Sequence, residues 1–209
     1  MERSVHVAVI YYSSTGTVHR IATELVEAAE KAGAEVRLRK AAELAPRAVV
    51  ESKPAWAEHL AATEDVRVAS ADDVGWADAV LLGSPSRFGN VASQLKQFID
   101  TLGPLWMRGE LADKAYSGFT SGSTVHGGME TTLVAMYNMV YHFGGVVVPP
   151  GYADPIKLVH GNPYGTSHVL GARAEPVGEV TLGAARAQAE RIVRVARALS
   201  AIKAEPLAG

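Results

Sequence analysis

Four hydroxyls crowd around a single glycine in the stretch Ser13, Ser14, Thr15, Gly16, Thr17. An apolar, β-branched run, Val5 to Tyr12, leads into it, and Val18, Ile21, Ala22, Leu25, Val26 and Ala29 follow it at helical spacing. A polar loop between a strand end and a helix start offers unpaired backbone N–H groups and the positive end of the helix dipole, a combination that suits an anion. The hydroxyls add donors, and Gly16 lets the backbone turn tightly. No Lys or Arg lies in the loop. The Gly-Lys-Ser/Thr of a triphosphate loop is missing, and so is the dinucleotide pattern of three spaced glycines. The chemistry indicated is therefore a monophosphate held by neutral dipoles, although an ordinary helix cap uses the same residue types.

A second polar stretch, Gly83 to Asn90 (GSPSRFGN), again starts at the end of an apolar run and enters a helical pattern. Pro85 fixes the backbone direction and Gly89 permits close approach. Arg87 and Phe88 place a charge and an aromatic ring at the mouth. Alone this is a turn with an exposed arginine. Beside the first loop it becomes the second wall of a cleft, where backbone amides can meet the polar edge of a flat heterocycle. The remaining chemistry-bearing residues do not assemble into a catalytic set. His126, His160 and His168 lack metal-ligand spacing and are expected in loops. Nothing pairs Glu130 with Asp154, and no catalytic residue or metal site is assigned.

The elements needed to position these loops follow a βα repeat. Strands are expected at Val5–Tyr12, Glu35–Arg39, Asp78–Ser84, Ala115–Thr120 and Val146–Val148. Helices are expected after the first, third and fourth strands. The second is carried by Val91, Leu95, Phe98, Ile99 and Leu102 and is stopped at Gly103-Pro104. The third runs over Met129 to Val140, and a last helix covers about Leu182 to Lys203. Such alternation predicts an α/β fold, a doubly wound, five-stranded parallel sheet of order 2-1-3-4-5 with helices on both faces. In that arrangement ligands bind beyond the carboxyl ends of strands one and three. The chain, 1–209, is expected to form one domain. Its irregular insertions lie near 41–77, with a short helix around Trp56 to Thr63, and near 151–180, and segments of that length usually carry function or an interface.

Composition narrows the classes. Lys plus Arg number 20 and Asp plus Glu 22, a net charge of −2, without the basic footprint of a nucleic-acid binder. The 209 residues include no cysteine, which excludes disulfides, thiol nucleophiles and cysteine-ligated iron–sulfur or zinc centres. No run approaches the length of a membrane span. Met1 to Val7 shows no signal-peptide pattern, so a soluble, cytoplasmic protein without membrane insertion is expected.

The first loop resembles the phosphate loop of flavodoxins. Gly83 to Asn90 closely resembles the corresponding segment of the WrbA family of NAD(P)H:quinone oxidoreductases. Further matches follow in order: Gly103-Pro104-Leu105-Trp106, the loop Ser121 to Gly128, Tyr141-His142-Phe143-Gly144, Val148 to Tyr152 and Gly161 to Gly165. The resemblance thus spans nearly the whole chain. It implies that Ser13, Ser14, Thr15, Gly16, Thr17 and Val18 hold the phosphate of FMN. Pro85, Ser86, Arg87, Phe88 and Gly89 would line the ring, with backbone donors and Arg87 stabilising its reduced form. Ser121, Gly122, Ser123 and Thr124 would form a third wall, and His142, with Trp106, would shape the box over the exposed flavin face.

It further implies two-electron reduction of quinones by NADH or NADPH in a ping-pong cycle, the two substrates using one face in turn. The assembly implied is a homotetramer whose sites include residues of neighbouring subunits. Three departures stand out: Thr15 replaces an aromatic, the 121–128 loop is one residue longer, and Phe143 replaces a second histidine. The alternatives are a flavodoxin-type one-electron carrier, which a charge of −2 disfavours, and a non-catalytic FMN-binding regulatory protein.

Overall fold

A computed structural model describes residues 4–200 of the chain. The expected helix end at Ala201–Lys203, and Met1–Arg3 of the expected amino terminus, lie outside the described residues. Strand β1 (Val5–Tyr11) leads through the first loop to helix α1 (Thr17–Lys31), and β2 (Ala34–Lys40) follows. The first insertion then forms three short helices, α2 (Arg47–Glu51), α3 (Pro54–Ala62) and α4 (Ala71–Trp76). Next come β3 (Ala79–Pro85), α5 (Ser93–Asp100), α6 (Gly103–Met107), β4 (Ala115–Gly122) and α7 (Met129–Phe143). The chain closes with β5 (Val146–Val147), α8 (Pro155–His160), β6 (Thr166–Val169) and α9 (Glu179–Leu199).

The sheet has the expected order β2-β1-β3-β4-β5, every pairing parallel. It differs from expectation in having a sixth strand. β5 pairs only with Ala115 and Tyr116, and β6 takes the remaining edge of β4, from Phe119 to Gly122. Four residues between Gly165 and Leu170 carry too short a pattern to be read as a strand. What makes them one is the stretch of β4 edge left bare by β5. The pairing is fixed from the side by Gln188 of α9. Its amide donates to Ser117 Oγ at 2.7 Å and to the Gly118 carbonyl at 2.8 Å, and it accepts from the Thr166 N–H at 2.8 Å.

Side chains on β1 alternate between two cores, as strand geometry requires. Val5, Val7, Val9 and Tyr11 join Ile21 and Leu25 of α1 and Ile192 of α9 on one side. Ala8, Ile10 and Tyr12 join Val74 of α4, Leu95 of α5 and Leu133 and Met136 of α7 on the other. β3 and β4 are buried throughout, the mark of a parallel sheet covered on both faces. Each fully buried Ile or Leu in these layers contributes about 1.5–3 kcal/mol. Gly103-Pro104 does not simply stop a helix: α5 ends at Asp100, and Pro104 sits in the first turn of the new helix α6, where its missing N–H costs nothing.

Candidate functional site

β1 parts company with its two neighbours where the strand order reverses. The Ala41 N–H donates to the Tyr11 carbonyl at 2.7 Å on the β2 side, and the Tyr12 N–H donates to Gly83 at 2.9 Å on the β3 side. The first loop emerges from this fork. Gly16 has φ +95°, a left-handed conformation that side chains rarely adopt, and its N–H donates to Ser13 Oγ at 3.1 Å. Around it, the N–H groups of Ser14, Thr15, Thr17 and Val18 have no hydrogen-bond partner among the described residues. α1 carries no acidic residue in its first turn, and Arg20 is drawn away to Glu24 at 2.9 Å. A cradle of unspent amides, free of carboxylates, fits a phosphate group. Val18 is buried, so only its backbone can serve.

The loop after β3 spends its polar groups on itself. The Ser86 N–H donates to the Ser121 carbonyl at 2.7 Å, and its hydroxyl donates to Gly127 at 2.9 Å and accepts from Thr132 Oγ1 at 3.0 Å. Arg87 and Asn90 pair backbone to backbone at 2.8 and 3.1 Å around a turn in which Phe88 (φ +55°) and Gly89 (φ +74°) are both left-handed. Holding a phenylalanine there costs of order 1–2 kcal/mol, and the result is a ring standing wholly in solvent at the tip. Pro85 is buried at the strand end, and Arg87 reaches across the cleft to donate to Ser14 Oγ at 3.3 Å.

The third wall starts two residues later than expected, because β4 continues through Ser121 and Gly122. Ser121 is buried, whereas Ser123 and Thr124 are exposed on the loop proper. This wall touches the second one closely: a Cβ on Gly128 would stand 2.7 Å from the Gly89 Cα.

Trp106 and His142 are brought together, but elsewhere. The Trp106 indole N–H donates to the His142 carbonyl at 2.8 Å, and both line a surface hollow of about 350 Å³ with Ile99, Leu102, Met139 and Phe143. α7 begins beside the third wall, so His142 in its last turn lies about 20 Å away along the helix. The two residues thus stand together at the far end of α7, on a hollow separate from the loops of their own chain. His126 is a loop residue as expected, whereas His160 ends α8 and His168 is buried in β6. Among the described residues no group of three or more metal-binding side chains occurs. Asp154 caps α8, its carboxylate accepting from the Ile156 N–H at 2.9 Å.

Two groups behind the loops had no sequence signal. Glu43, in the first insertion, accepts from Tyr12 Oη (2.9 Å), Trp56 Nε1 (3.0 Å), Gln94 Nε2 (2.8 Å) and the Leu44 and Ala45 N–H groups (both 2.9 Å). Burial pushes its carboxyl pKa up, but these donors outweigh burial and hold it below the usual value. Tyr12 is pushed upward, first by burial and then by the same carboxylate. The second group is an imidazole pair. His19 of α1 lies 5.4 Å from His59 of α3, ring centre to ring centre, and His19 Nδ1 meets Tyr11 Oη at 2.6 Å.

A family model described as NADPH-dependent FMN reductase matches residues 5–155. A Deinococcus radiodurans protein named NAD(P)H dehydrogenase (quinone) is 44% identical over 196 residues, covering 93% of this chain and 97% of the relative. A Sinorhizobium fredii protein of the same name is 39% identical over 202 residues, with 93% and 98% coverage. Among solved structures, a flavodoxin, WrbA-like protein from Agrobacterium tumefaciens superposes with a TM-score of 0.66 at 23% identity, covering 93% of this chain and 99% of that one. The likeness in fold, the amide cradle at the switch point and the extent of the sequence match agree: the chain belongs to the NADPH-dependent FMN reductase family.

Proposed function

We propose that this protein is an FMN-dependent NAD(P)H:quinone oxidoreductase that reduces quinones by two electrons. The observation that carries the reading is the set of unpaired N–H groups of Ser14, Thr15, Thr17 and Val18, facing the Arg87–Phe88 wall, in a chain 44% identical to a protein named for that activity. When bound, FMN supplies the ring that accepts a hydride from a nicotinamide and passes it to a quinone.

The chain's own residues bind and orient. Ser13, Ser14, Thr15, Gly16, Thr17 and Val18 hold the phosphate; Pro85, Ser86, Arg87, Phe88 and Gly89 line the ring; Ser121, Gly122, Ser123 and Thr124 close the third side. Arg87 adds a positive charge where negative charge develops on reduction. Nicotinamide and quinone occupy one open face in turn, which needs no general acid–base pair. Trp106 and His142 serve the site of a neighbouring copy in a homotetramer, since they lie far from their own. No helix among the described residues is long and apolar enough to cross a membrane.

The test is anaerobic addition of NADH or NADPH to the FMN-loaded protein. Rapid bleaching to the two-electron reduced flavin, reversed by benzoquinone, is the expected result. Absence of bleaching by either coenzyme overturns the reading, and a one-electron reduced form that persists on titration favours an electron carrier instead.

A further inference from the structure

The first loop carries no basic side chain, Arg20 is occupied by Glu24, and Arg87 approaches only through Ser14. A further protonatable group faces the loop from outside it. α3 of the first insertion lays His59 against Gly16: a Cβ built on that glycine would stand 3.5 Å from His59 Nδ1. The ring nitrogens of His59 have no hydrogen-bond partner among the described residues, whereas Nδ1 of nearby His19 is drawn to Tyr11. The imidazole edge thus stands in van der Waals reach of Gly16, beside the amide cradle.

We propose that His59 is a further ligand of the flavin phosphate, donating a ring N–H from the insertion side and taking up a proton from solvent as the phosphate binds. The inference rests on the phosphate reading of the loop given above. The groups facing His59 from the packed elements are His19 of α1 and Lys40 of β2, and Tyr11 and Glu43 line the small cavity beside it. Burial, then His19 and Lys40, hold its pKa down to about 4 in the free protein. A phosphate dianion is the one expected occupant whose charge opposes all three influences. His59 therefore binds as a neutral donor at high pH and as a cation at lower pH, where FMN is held more tightly than the amides alone allow.

The full chain freed of flavin is titrated with FMN and with riboflavin, which lacks the phosphate, for wild type, His59→Gln and His59→Asn. The expected result is a loss of about tenfold or more in FMN affinity for both variants, greater at pH 6 than at pH 8, with riboflavin affinity unchanged. In ¹⁵N-histidine NMR of the wild type, the titration midpoint of His59 moves upward on adding FMN and stays put on adding riboflavin. Equal FMN affinity in the variants, or an unmoved midpoint, overturns the proposal. Thr17→Asp separates the two readings: if it loses FMN while His59→Gln retains it, the phosphate loop stands and His59 falls. If Thr17→Asp itself retains FMN, both fall.

Discussion

The loops after β1 and β3 stand opposite each other and treat their polar groups in opposite ways. The first leaves four backbone donors unpaired and keeps one internal bond, Gly16 to Ser13. The second closes a backbone pair at Arg87 and Asn90, buries Ser84 in bonds to Ala92 and Pro85, and ties Ser86 to three neighbours. Their glycines differ in the same sense. Gly16 is needed for its conformation and has only the imidazole edge of His59 near it. Gly128, on the wall bonded to the second loop, is needed because backbone presses against it. Donors withheld from the protein are donors available to a ligand, so one loop binds and the other shapes. Stability should follow the second loop and cofactor retention the first.

The largest expected effect is that of Thr17→Asp. A carboxylate in the amide cradle should weaken FMN binding by about a hundredfold or more. It should also leave the free protein as stable as before, or a few tenths of a kcal/mol more so, because an acidic residue suits the first turn of a helix. Flavin content and urea denaturation read the two halves separately; a variant that both keeps flavin and unfolds early breaks the contrast. Gly128→Ala should cost about 2–4 kcal/mol, since its Cβ collides with Gly89 and its φ is +80°. Gly16→Ala should cost about 1–2 kcal/mol, from conformation alone, while losing more flavin. Equal costs in denaturation would show that the two loops are not built differently.

Glu43 supports both loops, through Tyr12 beside the first and Gln94 on the helix after the second. Its pKa is held low in the folded state, so its contribution is present above the ordinary carboxylate pKa of 4.5 and lost as pH falls through the folded value. Glu43→Gln should cost about 1–2 kcal/mol at neutral pH and flatten the acid limb of stability against pH; an unchanged limb removes Glu43 from that role. Ser86→Ala should likewise destabilise by about 1–2 kcal/mol, whereas Ser14→Ala, the smallest expected effect, stays within about 0.5 kcal/mol, and thermal unfolding at matched flavin content distinguishes them.

Legibility in the sequence followed the range of the interactions. β1, β3 and β4 are apolar runs whose burial is written locally, and the two loops announce themselves by Ser, Thr, Gly and Pro at strand ends. β6 is a strand only because β4 has a bare edge, and α6 is a helix only because Pro104 suits a first turn. Glu43 matters through partners 31 and 51 residues away, which no pattern around position 43 reveals. His59 sits in a helix expected near Trp56 to Thr63, yet its place against Gly16 depends on how that helix folds back. Trp106 and His142 were legible as a pair by resemblance, but their distance from the loops is a matter of helix length.

The division of the β4 edge between β5 and β6 also bears on how the molecule meets others of its kind. A long unpaired strand is a template on which foreign chains can crystallise into fibrils. Here the rim is made of pieces of two and four residues, and β5 runs out into Pro149 and Pro150, which have no N–H to offer. The opposite rim, β2, is covered at its end by the first insertion, where the Lys40 N–H donates to the Arg67 carbonyl at 3.0 Å and the Lys40 carbonyl accepts from the Ala69 N–H at 2.8 Å. With both rims blunted, contact between copies is left to helical faces and loops, and the protein can remain concentrated without its sheets growing into one another.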